Sequence, residues 1–183
     1  MKPQSFIRIL LIINFLSLQT KIYSQNWKPV TAAITFKIKH SLGATADGSF
    51  KGFSGTIFFD ATNLSLASIK ATIDAKSINT GINMRDNTMR DEDYFNVEKY
   101  PKISMVSTKI EKNIKENEYT GYFNLTIKNV TKNIKIPFIF TTNSTQATFK
   151  GTFTINRTEY GVGDKSALLG DTATITITVN TQQ

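Results

Sequence analysis

The chain has 183 residues, 40% hydrophobic and 20% charged, with 22 basic against 14 acidic side chains, a single histidine and no cysteine. That length suits one domain with its own core and is short for two. The absent thiols exclude disulfide stapling, thiolate chemistry and cysteine-based zinc sites, and a charge of +8 scattered along the chain carries no nucleic-acid motif.

Lys2 and Arg8 lead into an apolar run from Ile9 to Leu18, followed by polar residues and the small Ser24. The run is shorter than the roughly 20 residues of a spanning helix, and the order basic, apolar, small is that of a secretory signal peptide. Residues 1–24 are expected to be removed after Ser24, leaving 25–183 as one periplasmic or secreted domain. Loss of Lys2, Arg8 and Lys21 would leave that domain at +5.

From Thr31 to His40 the chain alternates, with Ile34, Phe36 and Ile38 in one phase and Thr35, Lys37 and Lys39 in the other, which predicts a half-buried strand. Ser41 to Gly48 reads as a turn-rich link. Phe50 to Asp60 reads as a second strand whose glycines suggest a bulge or corner. A third strand is expected from Leu66 to Ile78, with Ile69, Ala71, Ile73 and Ala75 in phase.

The alternation then stops. From Ser77 to Pro101 the chain is charged and edged by Asn, Gly and Pro, the pattern of a long loop with a short helix, and long connections usually carry function. Alternation resumes at Ile103 and Met105, and again with Tyr119, Gly121, Phe123, Leu125 and Ile127. A hairpin at Asn129-Val130 leads to Ile134, Ile136, Phe138 and Phe140, where Pro137 predicts an edge or bulge. Ala147, Phe149, Gly151, Phe153 and Ile155 mark the next strand, and Ala173, Ile175, Ile177 and Val179 the last. Between them lies a Gly-rich connection with a helical turn expected at Ser166 to Leu169.

About eight strands follow, none joined by a helix long enough for a parallel crossover, so the sheet is expected to be antiparallel. Such strands either pack as a sandwich or close into a barrel, and closure is favoured because it leaves no long edge exposed. Periodicity alone leaves two interiors open. The small inner residues Ala71, Ala75, Gly121, Ala147 and Gly151 either complement the aromatics in a filled core or leave a channel roughly 20 Å deep.

Several phrases of this chain point to a family. The run from Ile34 to His40, then Gly48 to Ile57 with Asp60, resembles the opening of the YceI-like family of exported bacterial proteins. Ser77-Ile78-Asn79-Thr80-Gly81 with Arg85-Asp86, and Tyr94-Phe95-Asn96-Val97-Glu98-Lys99-Tyr100-Pro101, resemble its most distinctive block. Leu125 to Lys132, Ile155-Asn156-Arg157, Tyr160-Gly161 and Gly170-Asp171 extend the likeness nearly to the C-terminus.

The resemblance implies an all-β, eight-stranded, lipocalin-like antiparallel barrel, with the long loop and short helix between its third and fourth expected strands. Its interior would hold a long apolar lipid, a polyisoprenoid or isoprenoid quinone. The expected tunnel residues are Phe36, Ile38, Ile69, Ala71, Ile73, Met105, Phe123, Phe138, Gly151 and Phe153, and the expected mouth residues Met84, Arg85, Met89, Arg90 and Phe95. Where many members carry a histidine shortly after the Arg-Asp pair, this chain has Thr88, so recognition of a head group would fall to Arg85 and Arg90, or to nothing.

The residues offer little for catalysis. His40 is the one histidine and reads as a hydrogen-bonded rim residue, and Asp86, Asp91, Glu92 and Asp93 lack the spacing of a calcium loop. The gly-rich pieces at 48–52 and 161–165 do not lead into helices as phosphate loops do. The expectation is a non-enzymatic carrier with no cofactor or metal, a long-chain lipid or isoprenoid as partner, and transient contact with a membrane surface, as monomer or homodimer. The rival is a filled barrel that binds anionic envelope components or proteins through its basic outer face.

Overall fold

The computed structural model describes residues 25–41 and 43–183; the expected signal peptide lies outside the described residues. The strands are β1 Asn26–His40, β2 Thr45–Phe50, β3 Ser54–Phe58, β4 Ser68–Asp74, β5 Lys102–Lys112, β6 Glu118–Ile127, β7 Val130–Asn143, β8 Gln146–Asn156 and β9 Leu169–Gln182. Among the described residues one α-helix, α1, spans Asn83–Arg90, and single 3-10 turns lie at Leu64–Leu66, Ala75–Ser77 and Thr158–Tyr160. Every pairing is antiparallel, and β9 pairs with β1 to close the wall.

Nine segments make eight wall positions because β2 and β3 lie end to end along one edge of β1. Ile34–Lys39 pair with β2, and Asn26 and Trp27 with β3. The break falls at Lys51-Gly52-Phe53. Gly52 has φ +70°, and a Cβ there would sit 2.0 Å from Asp74 Oδ2. Glycine is required on both counts. Ser77 Oγ accepts from the Lys51 N–H at 2.7 Å, and Lys51 O accepts from the Asp74 N–H at 3.1 Å, so the corner is tied to the end of β4.

Closure follows the period-two phases. On the inside, Ile34, Phe36 and Ile38 of β1 stand opposite Ile177, Ile175 and Ala173 of β9; on the outside, Thr35 and Lys37 stand opposite Thr176 and Thr174. A one-residue slip would turn every one of these side chains to the wrong face.

One end of the barrel is filled with rings. Phe59, fully buried, packs against Tyr119, Phe138, Phe140 and Phe149, with Trp27 edge-on to Phe140; the centroid distances run from 4.7 to 6.0 Å. Each such pair contributes about 0.5–1.5 kcal/mol beyond its area. Trp27 Nε1–H donates to Phe59 O at 3.0 Å, which satisfies the buried indole. The opposite end carries α1, the loop before β5 and the connection between β8 and β9.

Four local expectations are corrected. Thr45–Phe50 is a strand rather than a link, because its inward positions Ala46, Gly48 and Phe50 pair with Ile38, Phe36 and Ile34. The expected third strand ends at Asp74, where Ala75–Ser77 coil into a 3-10 turn. No helical turn occupies Ser166 to Leu169; β9 begins at Leu169, and the turn lies earlier, at Thr158–Tyr160. The β6–β7 hairpin turns on Lys128-Asn129, with Lys128 at φ +54°.

Candidate functional site

Between the ring-filled end and α1 the barrel encloses a cavity of about 200 Å³. Its wall is built from the inner phase of the strands. β1 contributes Phe36 and Ile38, β4 contributes Ile69, Ala71 and Ile73, and β5 contributes Met105 across from Ala71. Phe123 of β6, Phe138 of β7, and Gly151 and Phe153 of β8 complete the expected set, with Phe138 and Phe153 almost wholly buried. Phe36, Ile38, Ala71, Ile73 and Met105 are only half-buried although they point into a barrel, because the space beside them is open.

The roof is apolar as well. Phe95 stands edge-on to Phe50 at 5.5 Å, Phe50 meets Phe36 at 5.6 Å, and Met89 and Tyr94 complete the cover. α1 is too short to be stable alone and is fixed from outside. Arg90 donates from Nε to Lys76 O at 2.9 Å and from Nη2 to Ile78 O at 3.1 Å. Arg85 donates from Nε to Thr80 Oγ1 at 2.9 Å and from Nη2 to Thr80 O at 2.8 Å. Buried Asp86 accepts from the Thr80 hydroxyl and from the Thr80 N–H at 2.8 Å. The Thr80 hydroxyl bond above all, with the positive charges of Arg90 and Arg85 adding, holds its carboxyl below the usual carboxylate range.

Three expected mouth residues therefore do not face the cavity. Met84 is exposed on the outer side of α1, and Arg85 and Arg90 are spent on backbone carbonyls of the segment below. Thr88 also faces solvent, its hydroxyl donating to Met84 O at 3.1 Å. His40 ends β1 at the rim, its backbone N–H donating to Ala44 O at 2.8 Å. Among the described residues no group of three His, Cys, Asp or Glu side chains comes together around a possible metal position.

Arg157 was not expected at the site. It is 4% exposed and lines the cavity's edge, but its guanidinium is fully used: Nη1 donates to Val162 O at 2.8 Å, Nη2 to Asp164 O at 2.8 Å, Nε to Gly170 O at 3.1 Å, and Asp171 lies at 3.4 Å. It is a peg for the β8–β9 connection. Tyr160 beside it is buried with no partner for its hydroxyl, and burial pushes its pKa up. Other lining residues, Ile34, Leu125, Ile136, Ile155, Ile175 and Ile177, share a phase with expected ones and were legible by the same rule. Tyr94, Ile78 and Arg157 come from connections, where no period marks the inner side.

The fold and this site have counterparts. The barrel superposes on Burkholderia cenocepacia BcnA with a TM-score of 0.77, 25% identity and coverage of 81% of this chain and 95% of that one. It superposes on the Campylobacter jejuni YCEI protein with a TM-score of 0.70, also at 25% identity, covering 76% and 86%. A polyisoprenoid binding domain from Saccharophagus degradans, implicated in plant cell wall breakdown, shares the fold at a TM-score of 0.67 and 14% identity, covering 88% and 99%.

In sequence, a UPF0312 protein of Pectobacterium atrosepticum is 37% identical over 105 residues, and Protein YceI of Salmonella newport 35% over 105. That stretch is 57% of this chain and 54% of either relative, so the chain spans about half the length of the curated relatives it matches. The YceI-like domain model matches residues 26–181, which takes in all of β1 to β8, α1 and nearly all of β9. A closed eight-position barrel, an apolar interior and a family match over almost the whole described chain agree: this protein belongs to the YceI-like family.

Proposed function

We propose that the protein is an exported carrier that holds a long-chain amphiphile, a polyisoprenoid or isoprenoid quinone, by its tail. The observation that carries this reading is the cavity itself, which lies inside the barrel and is lined almost wholly by carbon. A tail placed there gains about 25 cal/mol for each Å² of apolar surface removed from water. The half-buried inner residues support a space for a ligand over a filled core. The polyisoprenoid binding of the Saccharophagus degradans domain, which shares only the fold, points the same way.

No covalent step is needed, and binding is burial with release. A stretch of the tail would lie between the rings at Phe138 and Phe149 and the roof of Met89 and Phe95. With Arg85 and Arg90 committed to carbonyls, selection rests on the tail. Ala71→Phe tests this, because Ala71 stands half-buried opposite Met105 with room before it. The variant should bind labelled polyprenol about tenfold or more weakly, a loss of at least ~1.4 kcal/mol. Unchanged binding in a folded variant would contradict the proposal.

A further inference from the structure

The wall is not laddered all the way round. β7 and β8 pair from Asn143↔Gln146 to Phe138↔Gly151, and there the ladder stops. β7 continues back to Val130, paired with β6 throughout, and β8 continues to Asn156, paired with β9 throughout. By the same register residues 133–137 and 152–156 face each other across a seam with no ladder.

The sequence places the seam. Phe140 N–H donates to Asn117 O on the β6 side. Strand alternation therefore turns the backbone groups of Ile139 and Pro137 toward β8. Pro137 has no donor, so the rung after Phe138↔Gly151 can carry one hydrogen bond at most, and the ladder goes no further. The last rung is itself crowded: a Cβ on Gly151 would stand 3.0 Å from Ile136 Cγ2 and 3.2 Å from Pro137 O.

Both banks of the seam border the cavity. Ile136, Phe153 and Ile155 along its two banks line that space, and Ile134 and Ile155 are only half-buried. At the mouth end it is bounded by an ion pair: Lys132 of β7 reaches Glu159, just beyond β8, at 2.5 Å, with its ammonium 5.9 Å from the centre of the Tyr160 ring. Proteins normally pair or cover a strand edge. Here one is left free over an apolar interior.

Size gives the seam an occupant. A cavity of about 150 Å³ takes one benzene, and pockets for drug-sized ligands run to roughly 300–1,000 Å³. The space of about 200 Å³ inside the barrel, which is partly open to solvent, therefore holds only part of a long isoprenoid. The far end is filled by rings, and the roof is fixed by Arg85, Arg90 and Asp86.

We propose that the β7–β8 seam is a side port through which the tail of a long polyisoprenoid passes, so that the barrel grips one stretch of the chain and selects tails longer than its cavity. This rests on the carrier reading above. Because the chain has no cysteine, single thiols can be placed at will. Lys135→Cys and Thr154→Cys put an outward, exposed thiol on each bank; Asn124→Cys puts one on β6, which is laddered on both sides.

Each folded variant is coupled to a bulky polyethylene-glycol maleimide, and uptake of solanesol, a long polyprenol, is compared with uptake of farnesol, a short one. Labels at 135 and 154 should slow solanesol uptake by roughly tenfold while the label at 124 does not, and farnesol should enter at the same rate in all three. Equal solanesol uptake in all three, or equal slowing in all three, would overturn the port. Binding of neither alcohol by the unlabelled protein would overturn the carrier reading itself, and the port with it.

Discussion

Asp86 and Thr80 set the roof in place at the scale of single residues. Thr80 donates twice to the Asp86 carboxylate and receives the Arg85 Nε–H in return, so one threonine links the helix to the strand-like segment before it. The bonds favour the charged carboxylate and hold its pKa below the ordinary aspartate value. A carboxylate with a lowered folded pKa binds fewer protons in the native state than in the unfolded chain. Its contribution is therefore present above the unfolded pKa and is lost as pH falls through the folded one. Asp86→Asn should cost about 1–3 kcal/mol at neutral pH in urea unfolding, and the gap to the parent protein should shrink as pH falls below about 3.8. A gap that stays constant to the lowest pH would show that the charge of Asp86 is not what holds the helix.

The arginines show where a sequence stops being legible. Arg85 and Arg90 sit beside methionines in the chain, a pattern that suits a charged head over an apolar tail. Their real partners are carbonyls at Lys76, Ile78 and Thr80, 5 to 14 positions away. A guanidinium takes whatever acceptors the fold brings near, and nothing in the residue order tells a carbonyl from a ligand. Arg157 escaped notice as a cavity residue for the same reason, since its acceptors at Val162, Asp164 and Gly170 are gathered only once the connection has folded.

Among the elements, strand phases were the most legible part of the molecule. The alternation that puts Ile34, Phe36 and Ile38 inside also puts Ile175, Ile177 and Ala173 opposite them, because a half-buried strand has a period of two. β2 was harder to read. Thr45–Phe50 contains Asp and Gly, which favour turns in isolation, and its pairing with β1 overrides that preference. The corner at Gly52 was legible as a bend but not as a tie to Asp74. Gly52→Ala forces an L side chain to φ +70° and onto the Asp74 carboxylate. It should cost about 1–3 kcal/mol, read as a lowered urea midpoint with an unchanged slope. A neutral effect would mean that β2 and β3 can straighten into one strand without loss.

The whole molecule is a barrel with two unlike ends. Trp27, Phe59, Tyr119, Phe138, Phe140 and Phe149 fill one end, while the other keeps half-buried apolar walls under a tethered roof. Sequence alternation was enough for the eight wall positions and for their inner face. It was not enough to separate a channel from a filled core, because the same inner phase supplies both the plug and the cavity. What separates them is where along each strand the rings fall: Phe138 and Phe140 meet Phe149 and Phe59 at one level, and Ala71, Ile73 and Ile38 leave space at another.

The central claim, that this space carries the tail of an amphiphile, is tested most directly by native mass spectrometry of the protein purified from its native cells, before and after organic extraction. The account predicts a mass in excess of the polypeptide that extraction removes and that is recovered as a long-chain isoprenoid. A bare polypeptide mass, with no lipid in the extract and no uptake of added polyprenol, would contradict it.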